Sequence, residues 1–182
     1  EDVKRKDWFC EDVRYVWELG LMMGVSATEF APAMPDDRAM AVTLLYRLDG
    51  AELQPEESSF TDVEVGRWYH APVEWALANG ITQGVSETEF APTRYVTREQ
   101  FIAFLHRYAG APDPETMPED FTDWEAVSRY ARTSMAWAVE EGLLTGYKDG
   151  TVKPKRELTR AELAALMHRF HIWLLHDSGE LV

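Results

Sequence analysis

The chain has 182 residues, 46% of them hydrophobic, with 7 Trp, 7 Tyr and 8 Phe. That is enough for a packed core and excludes global disorder. With 32 acidic and 18 basic residues the formal net charge is −14, which excludes a general nucleic-acid or anionic-membrane surface but leaves room for a local anion pocket. The lone cysteine, Cys10, excludes a disulfide framework and a cysteine-based zinc cluster. No apolar run approaches the ~20 residues of a membrane span, so no membrane insertion is expected. The opening E-D-V-K-R-K-D has no apolar core of a secretory signal, so an exported protein would be represented here by a mature or excised piece.

The chain repeats itself. Residues 24–32 read G-V-S-A-T-E-F-A-P and residues 84–92 read G-V-S-E-T-E-F-A-P, matching at eight of nine positions with an offset of 60. The same offset pairs Trp8 with Trp68, Arg38 with Arg98 and Arg47 with Arg107. A further offset of 62 pairs Trp75 with Trp137, Gly84 with Gly146, Pro92 with Pro154, Arg98 with Arg160 and Arg107 with Arg169. Three copies of one unit are therefore expected, a short-period array whose modules share a core.

In chain order, the first unit occupies 1–48. Its first helix carries Val13, Val16 and Trp17, and its second carries the stripe Ala41, Leu44, Leu45, Leu48. Residues 49–59, D-G-A-E-L-Q-P-E-E-S-S, read as a linker. The second unit, 60–108, has a helix from about Ala71 to Asn79, with Pro72 in its first turn and Gly80 as the stop. Its second helix starts at Thr97 with Gln100 completing a capping box, and buries Phe101, Phe104, Leu105 and Tyr108. A second linker follows at 109–120. The third unit, 121–170, repeats the box with Thr159 and Glu162 and the stripe with Leu163, Leu166, Met167 and Phe170. Residues 171–182 prolong the last helix, with Ile172, Trp173 and Leu175 covering an apolar edge. Strand signals are weak, and the class is all-α. Extended linkers of eleven or twelve residues reach roughly 36–43 Å, which leaves several arrangements of the units open.

Arg38, Arg98 and Arg160 each begin a second helix, where a cation opposes the helix dipole by ~0.3–1 kcal/mol. A positive helix end beside a guanidinium can grip a carboxylate or phosphate. The alternative is an internal ion pair, with Asp62 or Asp123 as the carboxylate. Arg47, Arg107 and Arg169, at the far ends of these helices, suit structural roles. Trp8, Trp68 and Tyr130 precede the first helices and serve either as stacking platforms for a sugar or as core; Tyr15, Trp75 and Trp137 lie within those helices and suit the core. His168, His171 and His176 lack partners at metal spacing, and His106 and His168 occupy equivalent positions that suit packing. No metal or cofactor site, paired catalytic carboxylates or activated nucleophile is evident, so a binder rather than an enzyme is expected.

The motifs F-T-D-V (60–63), W-Y-H-A-P-V-E-W-A (68–76), G-I-T-Q-G (80–84), F-A-P (90–92) and V-T-R-E-Q (96–100) resemble an S-layer homology (SLH) repeat. F-T-D-W (121–124), G-Y-K-D-G-T-V-K-P (146–154) and L-T-R-A-E (158–162) resemble it again, and the likeness extends over about residues 1–170. The first copy departs from the pattern: it starts inside the opening motif, and P-D-D-R-A-M (35–40) keeps Arg38 without the Thr cap, leaving Asp36 or Asp37 to cap the helix. The resemblance implies three tandem repeats in a pseudo-threefold helical spindle, extracellular on a bacterial cell wall. It further implies a secondary cell-wall polysaccharide, bearing a pyruvylated amino sugar, bound in grooves between repeats. By position, the contacts it implies are Arg98 and Arg160, then Arg38. Asp62 and Asp123 would position these or bond hydroxyls, Trp68 and Tyr130 would stack, Gly84 and Gly146 would admit the ligand, and Tyr147 and Lys148 would add contacts. The alternatives are an assembly module for other surface-layer proteins and a peptidoglycan-directed anchor of a larger surface enzyme.

Overall fold

The computed structural model describes residues 1–118 and 120–180. Glu119 of the second linker and Leu181 and Val182 of the tail lie outside the described residues. Among the described residues six α-helices follow in pairs: α1 Cys10–Glu18, α2 Arg38–Asp49, α3 His70–Ala78, α4 Arg98–Tyr108, α5 Arg132–Glu140 and α6 Arg160–Asp177. Two short 3₁₀ turns, Trp124–Ala126 and Arg129–Ala131, lead into α5. Extended pairing among the described residues is confined to three isolated bridges, and the class is all-α. α6 runs to Asp177 and thus includes much of the predicted extension.

The second helix of each repeat packs on the first helix of the next: α2 on α3, α4 on α5, and α6 back on α1. The last contact closes the ring, so the units adopt one cyclic arrangement. The predicted stripes explain it. Leu44, Leu45, Phe101, Leu105, Leu163 and Phe170 are buried in one continuous core, where apolar area removed from water contributes roughly 25 cal/mol per Å². Trp75 and Trp137 are buried in the same core. The first linker does not hang free. The buried carboxylate of Glu74 in α3 accepts bonds from Ser59 N at 2.8 Å and Ser59 Oγ at 2.6 Å, and Tyr46 Oη accepts from Leu53 N.

The starts of α2, α4 and α6 meet on the pseudo-threefold axis. There Asp36 N donates to Leu158 O, Leu158 N to Val96 O, and Val96 N to Asp36 O, each at 3.0 Å. The next amides go to the following repeat. Arg38 N and Ala39 N donate to Arg94 O and Pro92 O, Arg98 N and Glu99 N to Arg156 O and Pro154 O, and Arg160 N and Ala161 N to Met34 O and Pro32 O. A helix otherwise leaves its first four N–H groups without partners; here the neighbouring loop satisfies two, and on α2 and α6 the cap satisfies a third. Asp37, not Asp36, caps α2 by accepting from Met40 N at 2.8 Å. Thr159 and Glu162 form the full box on α6, and Gln100 Oε1 accepts from Thr97 N on α4.

Candidate functional site

Each helix-starting arginine turns its side chain toward the loop that receives its backbone amide. Those loops owe their shape to the aspartates that open the repeats. Asp2 accepts from Phe30 N and Ala31 N, Asp62 from Phe90 N and Ala91 N, and Asp123 from Val152 N and Lys153 N, at 2.6–2.9 Å. The second residue of each pair, Ala31, Ala91 or Lys153, has a φ between 48° and 57°. This is left-handed backbone that a non-glycine residue adopts only when its surroundings impose it. Asp62 and Asp123 are therefore turn-builders, and neither is a hydrogen-bonded partner of the arginines.

The three arginines are all buried, yet their surroundings differ. Arg160 donates from Nε to Phe30 O at 2.7 Å, from Nη1 to Asp36 Oδ2 at 2.9 Å and from Nη2 to Met23 O at 2.6 Å. The internal ion pair expected as an alternative exists here, with Asp36 as its carboxylate. Burial pushes the Asp36 carboxyl up, opposed by the Arg160 charge. Arg98 donates from Nη2 to Thr145 O at 2.9 Å and from Nη1 to Tyr147 Oη at 3.4 Å, with its guanidinium 5.0 Å from the Tyr147 ring centre. Tyr147 also receives a bond from Arg156 and lies 4.4 Å below Lys153 Nζ. Lys148 is exposed and takes no part in this stack.

Arg98 Nε is buried without a partner, and Arg38 makes fewer hydrogen bonds than either of the other two. Its Nε donates to Phe90 O at 2.9 Å, and the guanidinium lies 4.7 Å from the Phe90 ring centre and 5.4 Å from that of Phe104. Nη2 is buried without a hydrogen-bond partner. An unpaired buried donor costs ~1–3 kcal/mol, more when charged. Burial is the main cause bringing the Arg38 pKa down to about 10, so the group remains cationic at neutral pH. It faces a cleft of about 390 Å³ lined by loop residues 82–85, Arg94, Gln100, Arg107 and Tyr130. Three arginines thus line one opening.

Tyr130 closes the cleft from the third repeat. Its ring is half exposed while its hydroxyl donates to Glu99 Oε1 at 3.1 Å. Glu99 also accepts from Ser128 N at 3.0 Å and Lys155 Nζ at 2.6 Å. Burial first, and the Glu99 carboxylate second, push the Tyr130 pKa upward, so this hydroxyl stays a neutral donor. Trp8 and Trp68, at the equivalent positions, are 64% and 54% exposed and available for stacking.

The two loop glycines have an internal reason to be glycine. A Cβ on Gly84 would approach Glu89 O and Ser86 O to 2.6 Å and Phe60 Cε1 to 2.7 Å. A Cβ on Gly146 would overlap the Phe121 ring. The missing side chain makes room for the opening aromatic of the same repeat.

The helix amides are already paired, so the open-helix-end receptor expected from sequence is not what the structure presents. An anion at this site would be held by side chains. Arg94 and Glu99 were not singled out from sequence, and Gln100 and Asp36 were expected only as helix caps. The available signal was a break in the repeat: Glu99 stands where the other copies have Ala39 and Ala161, and Asp36 where they have Val96 and Leu158.

The profile of the S-layer homology domain matches residues 1–39, 59–102 and 120–164. The chain belongs to the S-layer homology domain family. Its SLH repeats align with an endoglucanase of Bacillus sp. (strain KSM-635), 30% identical over 188 residues, covering 98% of this chain and 20% of that protein. They also align with the surface-layer 125 kDa protein of Lysinibacillus sphaericus, 29% identical over 163 residues, 87% of this chain and 14% of that one. The cellulosome-anchoring protein of Acetivibrio thermocellus is 24% identical over 148 residues, 77% of this chain and 33% of that protein. The SLH chain thus spans a third or less of the length of these relatives.

Proposed function

We propose that this chain is a non-catalytic cell-surface anchoring module that holds a bacterial protein to the wall by binding an anionic secondary cell-wall polysaccharide, with a pyruvylated amino sugar as the recognised unit. The observation that carries the reading is the buried Arg38 guanidinium, whose Nη2 has no partner beside a cleft it shares with Arg94 and Arg107. A ketal carboxylate supplies the bidentate acceptor that a planar guanidinium lacks there. The Tyr130 ring supplies an apolar face for the sugar. Membership of a family shared with surface-layer and anchoring proteins agrees with this role.

Arg98, with a neutral partner hydroxyl and a stacked ring, offers a second and more crowded contact in the groove of the third repeat. On the apolar tail, which would favour an assembly module if free, Trp173 is engaged internally. Trp173 stacks on Phe170, meets Trp137 edge-on, and donates to Glu141 at 2.8 Å.

The test is titration with the methyl glycoside of 4,6-pyruvylated N-acetylmannosamine, alongside cosedimentation with purified walls. A charge-assisted bidentate contact of ~1.5–3 kcal/mol predicts a roughly 10- to 150-fold loss of affinity for Arg38→Ala. Arg38→Lys also weakens binding, because an ammonium cannot reproduce the fork. Undiminished binding by folded Arg38→Ala would falsify the reading.

A further inference from the structure

At the threefold junction, two repeats place apolar residues and one places an acid. Val96 and Leu158 are fully buried, whereas the equivalent residue of the first repeat is Asp36, 6% exposed. The backbone bonding around the junction is the same for all three, so the fold does not require a carboxylate there. A buried ion pair also adds little net stability over apolar residues of similar volume. Yet Asp36 Oδ2 accepts from Arg160 Nη1 at 2.9 Å, with both side chains more than nine-tenths buried. Phe30 O and Met23 O take the other two nitrogens, so the guanidinium has no edge left to offer. Arg38, without such an acid, keeps Nη2 unpaired. The surroundings follow suit, because Met34 and Met40 stand where the open cleft has Arg94 and Gln100.

We propose that Asp36 is a built-in counter-anion that occupies the Arg160 receptor and silences the groove between the third and first repeats. The chain then presents fewer ligand-binding grooves than repeats. That consequence rests on the wall-glycan reading; occupation of Arg160 by an internal carboxylate mimic does not.

The experiment removes the carboxylate and offers one back. Asp36→Ala leaves Arg160 buried and uncompensated, and melts below the wild type in sodium chloride. Sodium acetate at equal ionic strength raises its melting temperature by about 2–4 °C and leaves the wild type unmoved. The response disappears when Arg160→Leu is added. In titrations with the pyruvylated glycoside, Asp36→Ala gains one site per chain. Asp36→Val, carrying the residue the second repeat uses, is the companion variant, and it decides by its own glycoside stoichiometry if Asp36→Ala cannot be folded even with acetate. Recovery of Asp36→Ala only when acetate is present supports the proposal. A folded Asp36→Ala with the wild-type response to acetate overturns it, as does a folded companion variant with no added site. Failure of the wild type to bind the glycoside, with the acetate response of Asp36→Ala intact, sinks the wall-glycan reading and leaves the counter-anion standing.

Discussion

Replacing Asp62 tests how the loop builds the cleft. Its carboxylate accepts from Phe90 N at 2.9 Å and from Ala91 N at 2.7 Å, and it holds Ala91 at φ 57°. Asp62→Ala leaves two partly buried amides without partners, each costing ~1–3 kcal/mol. The left-handed alanine then loses the contact that imposes its conformation. A total loss of about 2–6 kcal/mol follows, read by urea unfolding with tryptophan fluorescence. Phe90 O is also the acceptor for Arg38 Nε, so glycan affinity falls in the same variant. Asp62→Asn keeps one acceptor and recovers about half of the loss. A stability change below about 0.5 kcal/mol, the range of ordinary surface substitutions, would refute the assignment of Asp62 as the turn-builder.

Two further perturbations separate neighbouring causes. Gly84→Ala and Gly146→Ala each destabilise by about 1–3 kcal/mol. Phe121→Leu partly rescues Gly146→Ala, whereas Phe60→Leu does not rescue Gly84→Ala, since Gly84 also has φ +80° and two backbone carbonyls in the way; equal rescue of both in urea melts contradicts this. Burial raises the Glu162 pKa, but Arg156 and the Thr159 N–H outweigh it and hold the group below 4.5. A depressed carboxyl contributes stability above its unfolded value and loses it as pH falls through the folded one. Glu162→Gln is therefore less stable than the wild type at neutral pH and flatter in its acid limb below about pH 4.5. An unchanged acid limb contradicts the pairing.

The helices were legible because their stripes and caps are local. Phe101, Phe104 and Leu105 follow the 3.6-residue period, and Thr159 and Glu162 announce their own box. The triplication made the class and the candidate arginines legible too. Illegible was what each arginine meets, since those partners come from other repeats: Arg160 meets Asp36 across 124 residues, and Arg38 meets Phe90 across 52. The first amides of these helices are consumed by the neighbouring loop, which leaves no free dipole end for an anion. A single repeat cannot reveal this, because the acceptor lies on the next one. The exceptions within the triplication carried more information than the matches. Asp36, Glu99 and Met34 break the pattern at the axis and in the grooves, where the three sites diverge.

The most direct measurement is a crystal structure of the chain soaked with the methyl glycoside of 4,6-pyruvylated N-acetylmannosamine. The account predicts its carboxylate on Arg38, with the sugar against Tyr130 and the Arg160 groove empty. A ligand seated on Arg160 with Asp36 displaced, or a vacant Arg38 cleft at saturating ligand, would contradict it.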